Sequence, residues 1–332
     1  MDDFTSVRKF DTHTHLNSKN TTLAELAKED NFCLLGINVD VPDYSSLQVQ
    51  FETASFLHQK FSDRVNFLTA FTLAEWDSAN WASKTIEKLS SDFAHGAIGV
   101  KVWKNIGMTY KDSEGHFIMI DNPKFDPVID FIIQHDKTVV GHLGEPKNCW
   151  LPIEKMTVNN DKEYFKNHPE YHMFLHPEYP SYEDQINARD RFLERHPKLR
   201  FVGAHLGSLE WSVDELAKRL DKFPNMAVDM AERICHLQYQ SRINREKVRD
   251  FMIRYQDRIM YATDFEINDS TDVVKMKNEW HNTWLDDWKY FVTDDKMTVS
   301  RVDGEFEGLK LPKKVIDKIY FQNAMRWFKI TR

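Results

Sequence analysis

The chain has 332 residues, 41% of them hydrophobic and 29% charged, with a formal net charge of -8. That length buries a sizeable core, while the negative balance and the lack of a basic, aromatic-interleaved stripe exclude a general affinity for nucleic acid. No apolar run is long enough to span a bilayer, and three scattered cysteines, Cys33, Cys149 and Cys235, form neither a disulfide framework nor a CxxC pair.

The start, Met1-Asp2-Asp3-Phe4, has neither a basic segment nor an apolar leader core, so a cytoplasmic chain is expected; a periplasmic or secreted one is compatible if a leader has been removed. The first strand then runs into Phe10-Asp11-Thr12-His13-Thr14-His15-Leu16. Alternate strand residues share a face, so His13 and His15 can reach one metal ion, although two solvent-facing histidines would read the same locally. Strands follow at Phe32 to Val41, Val65 to Phe71 and Ala97 to Trp103. Helices of period 3.6 separate them, marked by Leu47, Phe51, Ala54, Leu57 and Phe61, then Ala82, Ile86, Leu89 and Phe93. A helix through Phe125 to Ile133 precedes strand five, Thr138 to His142. A long insertion and a helix around Ile186 to Leu193 separate it from strand six, Leu199 to His205. Ser212 with Glu215 forms a capping box opening the next helix. Strand seven is Met226 to Met230 and strand eight Ile259 to Asp264, followed by a Trp-rich segment and a last helix through Val315 to Tyr320.

Eight strands alternating with helices predict an α/β fold, a (β/α)8 TIM barrel in one domain over residues 1–332, with long loop insertions at about 145–185 and 266–308. An open doubly wound sheet is the alternative, but no Gly-rich phosphate loop follows strand one. In a barrel, the C-terminal strand ends build the active face. His13 and His15 close strand one, Lys101 lies near the end of strand four, and His142, His205 and Asp264 end strands five, six and eight.

These segments resemble the amidohydrolase superfamily, in its amidohydrolase-related branch of metal-dependent hydrolases and decarboxylases. The resemblance is carried by Asp11-Thr12-His13-Thr14-His15, Val140-Gly141-His142, Phe201 to Gly207 and Tyr261-Ala262-Thr263-Asp264, together with Arg189-Asp190-Arg191-Phe192-Leu193 and Ile319 to Ala324. It implies one divalent metal on His13, His15, His142 and Asp264, zinc first, with manganese or iron also accommodated. It further implies a metal-activated water whose proton Asp264 accepts, with His205 stabilising an oxyanion, protonating the leaving group or orienting a ligand. Lys101 either bridges two metals as a carboxylated lysine, binds a substrate carboxylate, or forms an ion pair within the barrel. Arg233 after strand seven can clamp a substrate carboxylate, or pair with Glu232 or Asp229; Glu145 is a further substrate-binding candidate.

The expected function is hydrolysis of an amide, lactone or other ester-like bond in a small molecule. The alternative is nonoxidative decarboxylation or hydration of a small, for example aromatic, carboxylic acid, since the same ligands serve both. The Trp-rich loops suggest a surface for a homodimer.

Overall fold

The computed structural model describes residues 3–331; Met1 and Asp2 of the start read above, and Arg332, lie outside it. Eight strands β1–β8 and a ninth, β9, lie in one parallel sheet in the order β8-β7-β6-β5-β4-β3-β2-β1-β9. They are β1 Lys9–Leu16, β2 Phe32–Ile37, β3 Val65–Ala70, β4 Gly99–Val102, β5 Thr138–Gly141, β6 Arg200–Gly203, β7 Met226–Asp229, β8 Ile259–Met260 and β9 Phe265–Ile267. The eighth strand, predicted to run to Asp264, is therefore shorter. It pairs with β7 over Ile259–Met260, β9 follows beyond Asp264 and pairs with β1, and the Thr12 N–H donates to Tyr261 O between them at 3.1 Å. These bonds join the two edges of the sheet into the (β/α)8 barrel.

Period-2 alternation divides the strand side chains between two cores. Phe10, Cys33, Leu35, Ile37, Leu68, Val140, Val202, Ala227 and Met260 fill the barrel interior, closed from below by Ala324, Trp327 and Phe328 of the terminal helix Asn323–Trp327. Phe32, Leu34, Val65, Val100, Val139, Phe201, Val228 and Ile259 face the surrounding helices. Lys101 lies between Val100 and Val102 and so points inward with the interior set.

In β1 the register shifts between Asp11 and Thr14, which pair with Leu34 and Gly36. One extra residue on β1 is a bulge, and a bulge re-aims the side chains beyond it. Before the bulge Phe10 packs in the interior and Asp11 turns outward to the helix layer; beyond it His13 and His15 face the mouth of the barrel.

Two local expectations need correction. The segment 266–308 is not a loop: it contains β9, a 20-residue helix Val273–Val292 and a hairpin of β10 Lys296–Val299 and β11 Val302–Glu307. Trp280, Trp284 and Trp288 recur every fourth residue along that helix and are at most 1% exposed, so they are core rather than dimer surface. Ser212 caps its helix by accepting from the Glu215 N–H, but Glu215 bonds Lys218 and Arg219 instead of completing a capping box. A reciprocal box is formed by Ser181 and Asp184 at the start of helix Tyr182–Arg195. The 145–185 insertion is folded too, as short turns around helix Asn159–Asn167. The two insertions meet: the Asn159 N–H donates to Arg301 O at 2.9 Å and its side-chain amide to Ser300 O at 3.1 Å, at the tip of the β10–β11 hairpin. No helix among the described residues is long and apolar enough to cross a membrane.

Candidate metal centre and active-site cleft

Three imidazoles meet one carboxylate at the barrel mouth. His13 Nε2 lies 3.2 Å and His15 Nε2 3.1 Å from Asp264 Oδ1, and His205 Nε2 lies 3.9 Å from Asp264 Oδ2. The ligand atoms of His13, His205 and Asp264 all fall within 4.8 Å of one another. His142 stands beside them, its ring centroid 4.1 Å from that of His205.

The remaining ring nitrogens decide what this cluster can hold. His13 Nδ1 bonds Asp229 Oδ2 at 2.9 Å, His15 Nδ1 bonds Ile37 O at 3.1 Å, and His205 Nδ1 bonds Ala231 O at 2.9 Å. Carbonyl and carboxylate oxygens only accept, so each Nδ1 carries the proton and donates it. Each neutral ring therefore turns an unprotonated Nε2 toward the centre, that of His13 also within 3.1 Å of Lys101 Nζ. Asp264 Oδ1, on which two of those lone pairs converge, is buried and has no hydrogen-bond donor among the described residues. Lone pairs facing a carboxylate repel unless a cation lies between them, and imidazole nitrogens with a carboxylate oxygen form a donor set for zinc, manganese or iron. The residues present thus fit a divalent ion.

Electrostatics agree with that reading. Burial pushes all three of His13, His142 and His205 toward the neutral form, His205 down to about 3. The ligands are in the protonation states that metal binding requires.

Asp229, read from sequence only as a possible partner of Arg233, is central here. It holds His13, accepts the His205 N–H at 2.9 Å and accepts the Ala231 N–H at 3.2 Å. The signal was available, since Asp229 ends β7 as His142 and His205 follow β5 and β6. Asp11 is likewise structural: it accepts from the Thr263 N–H at 3.0 Å, the Thr263 hydroxyl at 2.6 Å and the Trp284 indole at 3.0 Å, fixing the turn before Asp264. Lys101 sits at the floor, its Nζ 3.1 Å from His13 Nε2, with its ammonium lowered to about 8 by burial.

The backbone at this face is strained. His205, Leu206, Gly207 and Ser208 have φ of 58°, 57°, 62° and 55°, and Glu232 and Asp264 have 57° and 72°. Left-handed geometry costs about 1–2 kcal/mol per non-glycine residue, and such outliers concentrate at functional sites.

A cleft of about 530 Å³ opens above the cluster, lined among others by Lys104, His142, Glu145, His205, Arg233, Asp264 and Arg301. Glu145 is paired with Lys104. Arg233 is only 7% exposed, yet among the described residues its Nε has no hydrogen-bond partner and its guanidinium makes one hydrogen bond, a 3.4 Å contact to Glu232 O. Its nearest carboxylates, Glu232 at 3.8 Å and Asp161 at 3.9 Å, lie beyond hydrogen-bond reach, and Asp229 is engaged with His13. Asp161 and Arg301, both from the insertions, were not singled out in the sequence; neither ends a barrel strand.

The amidohydrolase family model matches residues 11–330. The chain is a member of the amidohydrolase family. No curated protein matches it in sequence. Among solved structures, this amidohydrolase is similar to 2,6-dihydroxybenzoate decarboxylase from Rhizobium (14% identity, 97% of this chain and 99% of that one, TM-score 0.55). It is also similar to the manganese-bound 5-carboxyvanillate decarboxylase from Novosphingobium aromaticivorans (11% identity, 99% of both chains, TM-score 0.53). A third is 4-oxalomesaconate hydratase from Rhodopseudomonas palustris (10% identity, 97% and 95%, TM-score 0.50). At these identities the likeness establishes the fold.

Proposed function

We propose that this amidohydrolase is a metal-dependent lyase that decarboxylates or hydrates a small carboxylic acid, the alternative reading of its sequence, in preference to ester or amide hydrolysis. The observation that carries the choice is Arg233: a buried guanidinium with spare donors, beside the convergent imidazoles, suits a substrate carboxylate through paired hydrogen bonds. The similar structures, two decarboxylases of aromatic acids and a hydratase, support the same side.

His13, His15, His142 and Asp264 would hold the ion, with His205 beside them; when bound, it supplies Lewis acidity and orients the substrate. Arg233 anchors the carboxylate. His205 enters neutral, so its Nε2 takes a proton from water and delivers it to the reacting carbon, in decarboxylation as the bond to the departing carbon dioxide breaks and in hydration as the hydroxide of that water adds to the neighbouring carbon, while Asp264 Oδ2, 3.9 Å away, stabilises the imidazolium formed in between. Asp229 and Ala231 O keep His205 and His13 in the tautomers this requires.

The test combines elemental analysis with two substrate panels, on wild type and Asp264→Asn. About one zinc, manganese or iron per wild-type chain, lost in the variant, with carbon dioxide release or hydration from small acids, is expected. Metal-free protein would sink the metal centre, and cleavage of esters or lactones without reaction of the acids would return the assignment to hydrolysis.

A further inference from the structure

Helix Tyr182–Arg195 carries three polar side chains at a spacing of three and four residues, Tyr182, Gln185 and Arg189, which places them on one face. All three are buried, Arg189 at 1% exposure. None lines the cleft. Each donates to a backbone carbonyl of the active face: the Tyr182 hydroxyl to Ser208 O, the Gln185 amide to Gly107 O at 2.8 Å, and Arg189 Nη1 to Gly207 O. Two of these acceptors belong to the left-handed run His205-Leu206-Gly207-Ser208.

We propose that Arg189, assisted by Tyr182, is a positioning residue that clamps this strained turn and thereby aims His205 into the site. The inference rests on the functional reading only in taking His205 as a site residue. Left-handed backbone over successive non-glycine residues persists only where the surroundings over-determine it. Here the turn is held from both ends. Asp229 and Ala231 O fix His205 at its start, and Arg189, Tyr182 and the Ser208 hydroxyl bond to Gly144 O fix its end. Packing leaves no slack: a Cβ on Gly203 would lie 2.8 Å from Gly207 Cα.

Arg189 is itself immobilised. Its Nε and Nη2 donate to Asp190 Oδ1 at 3.2 and 2.9 Å, and Arg219 Nε donates to Asp190 Oδ2 at 3.2 Å. An Arg-Asp-Arg chain thus delivers one guanidinium nitrogen to Gly207 O, so the Arg189-Asp190 pair acts on His205 from behind the barrel wall. A lysine here would keep the charge but not the fork that bonds Asp190 and Gly207 together.

The test is hydrogen–deuterium exchange on the full chain, with mass-spectrometric mapping of histidine carbethoxylation, for Arg189→Met, Arg189→Lys and Tyr182→Phe. In Arg189→Met, exchange of peptides covering residues 203–209 should rise at least tenfold while those of β2 to β4 keep wild-type rates. Carbethoxylation of His205 should rise with it and that of His142, in the same cleft, should not. Arg189→Lys should fall between, and Tyr182→Phe, which removes only a hydroxyl, shows the same local pattern at smaller amplitude if Arg189→Met does not fold. Unchanged exchange at 203–209, acceleration spread over the whole chain, or equal gains at His142 and His205 would overturn the clamp. A wild-type chain without metal or activity would overturn the lyase assignment and leave these rates as predicted.

Discussion

At the scale of single residues, the site depends on which ring nitrogen of each histidine keeps its proton, and Asp229 is the residue that decides it for His13. Replacing Asp229 by Asn preserves size and still offers an oxygen to the His205 and Ala231 N–H groups. It then presents an NH2 to His13 Nδ1, which must become the acceptor. The His13 proton moves to Nε2, and one of the lone pairs converging on Asp264 is lost. We expect Asp229→Asn to weaken zinc binding by about 10–100-fold in chelator competition, the range typical of such orienting partners, with the melting temperature moving far less than for a cavity mutation. Equal affinity in the variant would mean that His13 does not bind through Nε2. His13, His15, His142, His205 and Asp264 were legible in the sequence because each ends or follows a short apolar run, where a barrel exposes side chains. Asp161 and Arg301 carried no such mark, since each lies in a polar insertion and only the meeting of the two insertions brings them to the cleft.

At the scale of elements, the helix Val273–Val292 shows why part of the fold was missed. Its tryptophans recur at i, i+4 and i+8, a helical stripe, but mostly polar and charged residues stand between them, and the segment reads as a loop. The early end of the eighth strand and the extra strand β9 were equally hidden, because nothing in Thr263-Asp264 announces a φ of 72° at Asp264. The two features are connected. Trp284 stacks on Phe32 of β2 at 4.3 Å and donates its indole N–H to Asp11 Oδ2, while Asp11 also holds Thr263, the residue before Asp264. A helix packed outside the barrel therefore fixes the turn that presents the Asp264 carboxylate. Trp284→Phe keeps most of the stacking area and removes the donor to a buried carboxylate. A loss of about 2–3 kcal/mol in stability is expected, read as a lower denaturant midpoint at unchanged slope. A shift below about 0.5 kcal/mol would mean that the Thr263 bonds alone satisfy Asp11.

For the whole molecule, ionisable groups outside the histidine cluster couple stability to pH, and the half-buried Asp287 gives the clearest sign. It lies on helix Val273–Val292, accepts the Tyr261 hydroxyl at 2.8 Å, and is raised to about 7, chiefly by burial. An ordinary unfolded carboxyl titrates near 4. Between about pH 4 and 7 the folded chain consequently holds more protons than the unfolded chain, so the stability due to Asp287 is fully present below pH 4 and is lost as pH rises through about 7. The slope is at most about 1.4 kcal/mol per pH unit within that window, and above it the charged carboxylate remains a fixed cost. Asn in its place still accepts from Tyr261 and never ionises. Asp287→Asn should therefore melt higher than wild type at pH 8, with the difference shrinking toward pH 5. The comparison cancels every other titrating group to first order, including Lys9, which burial lowers to about 7 and which shifts stability in the opposite direction above neutrality. A difference that stays constant from pH 5 to pH 8 would show that Asp287 keeps the same charge throughout, and that the Tyr261 hydroxyl offsets the burial of its carboxylate.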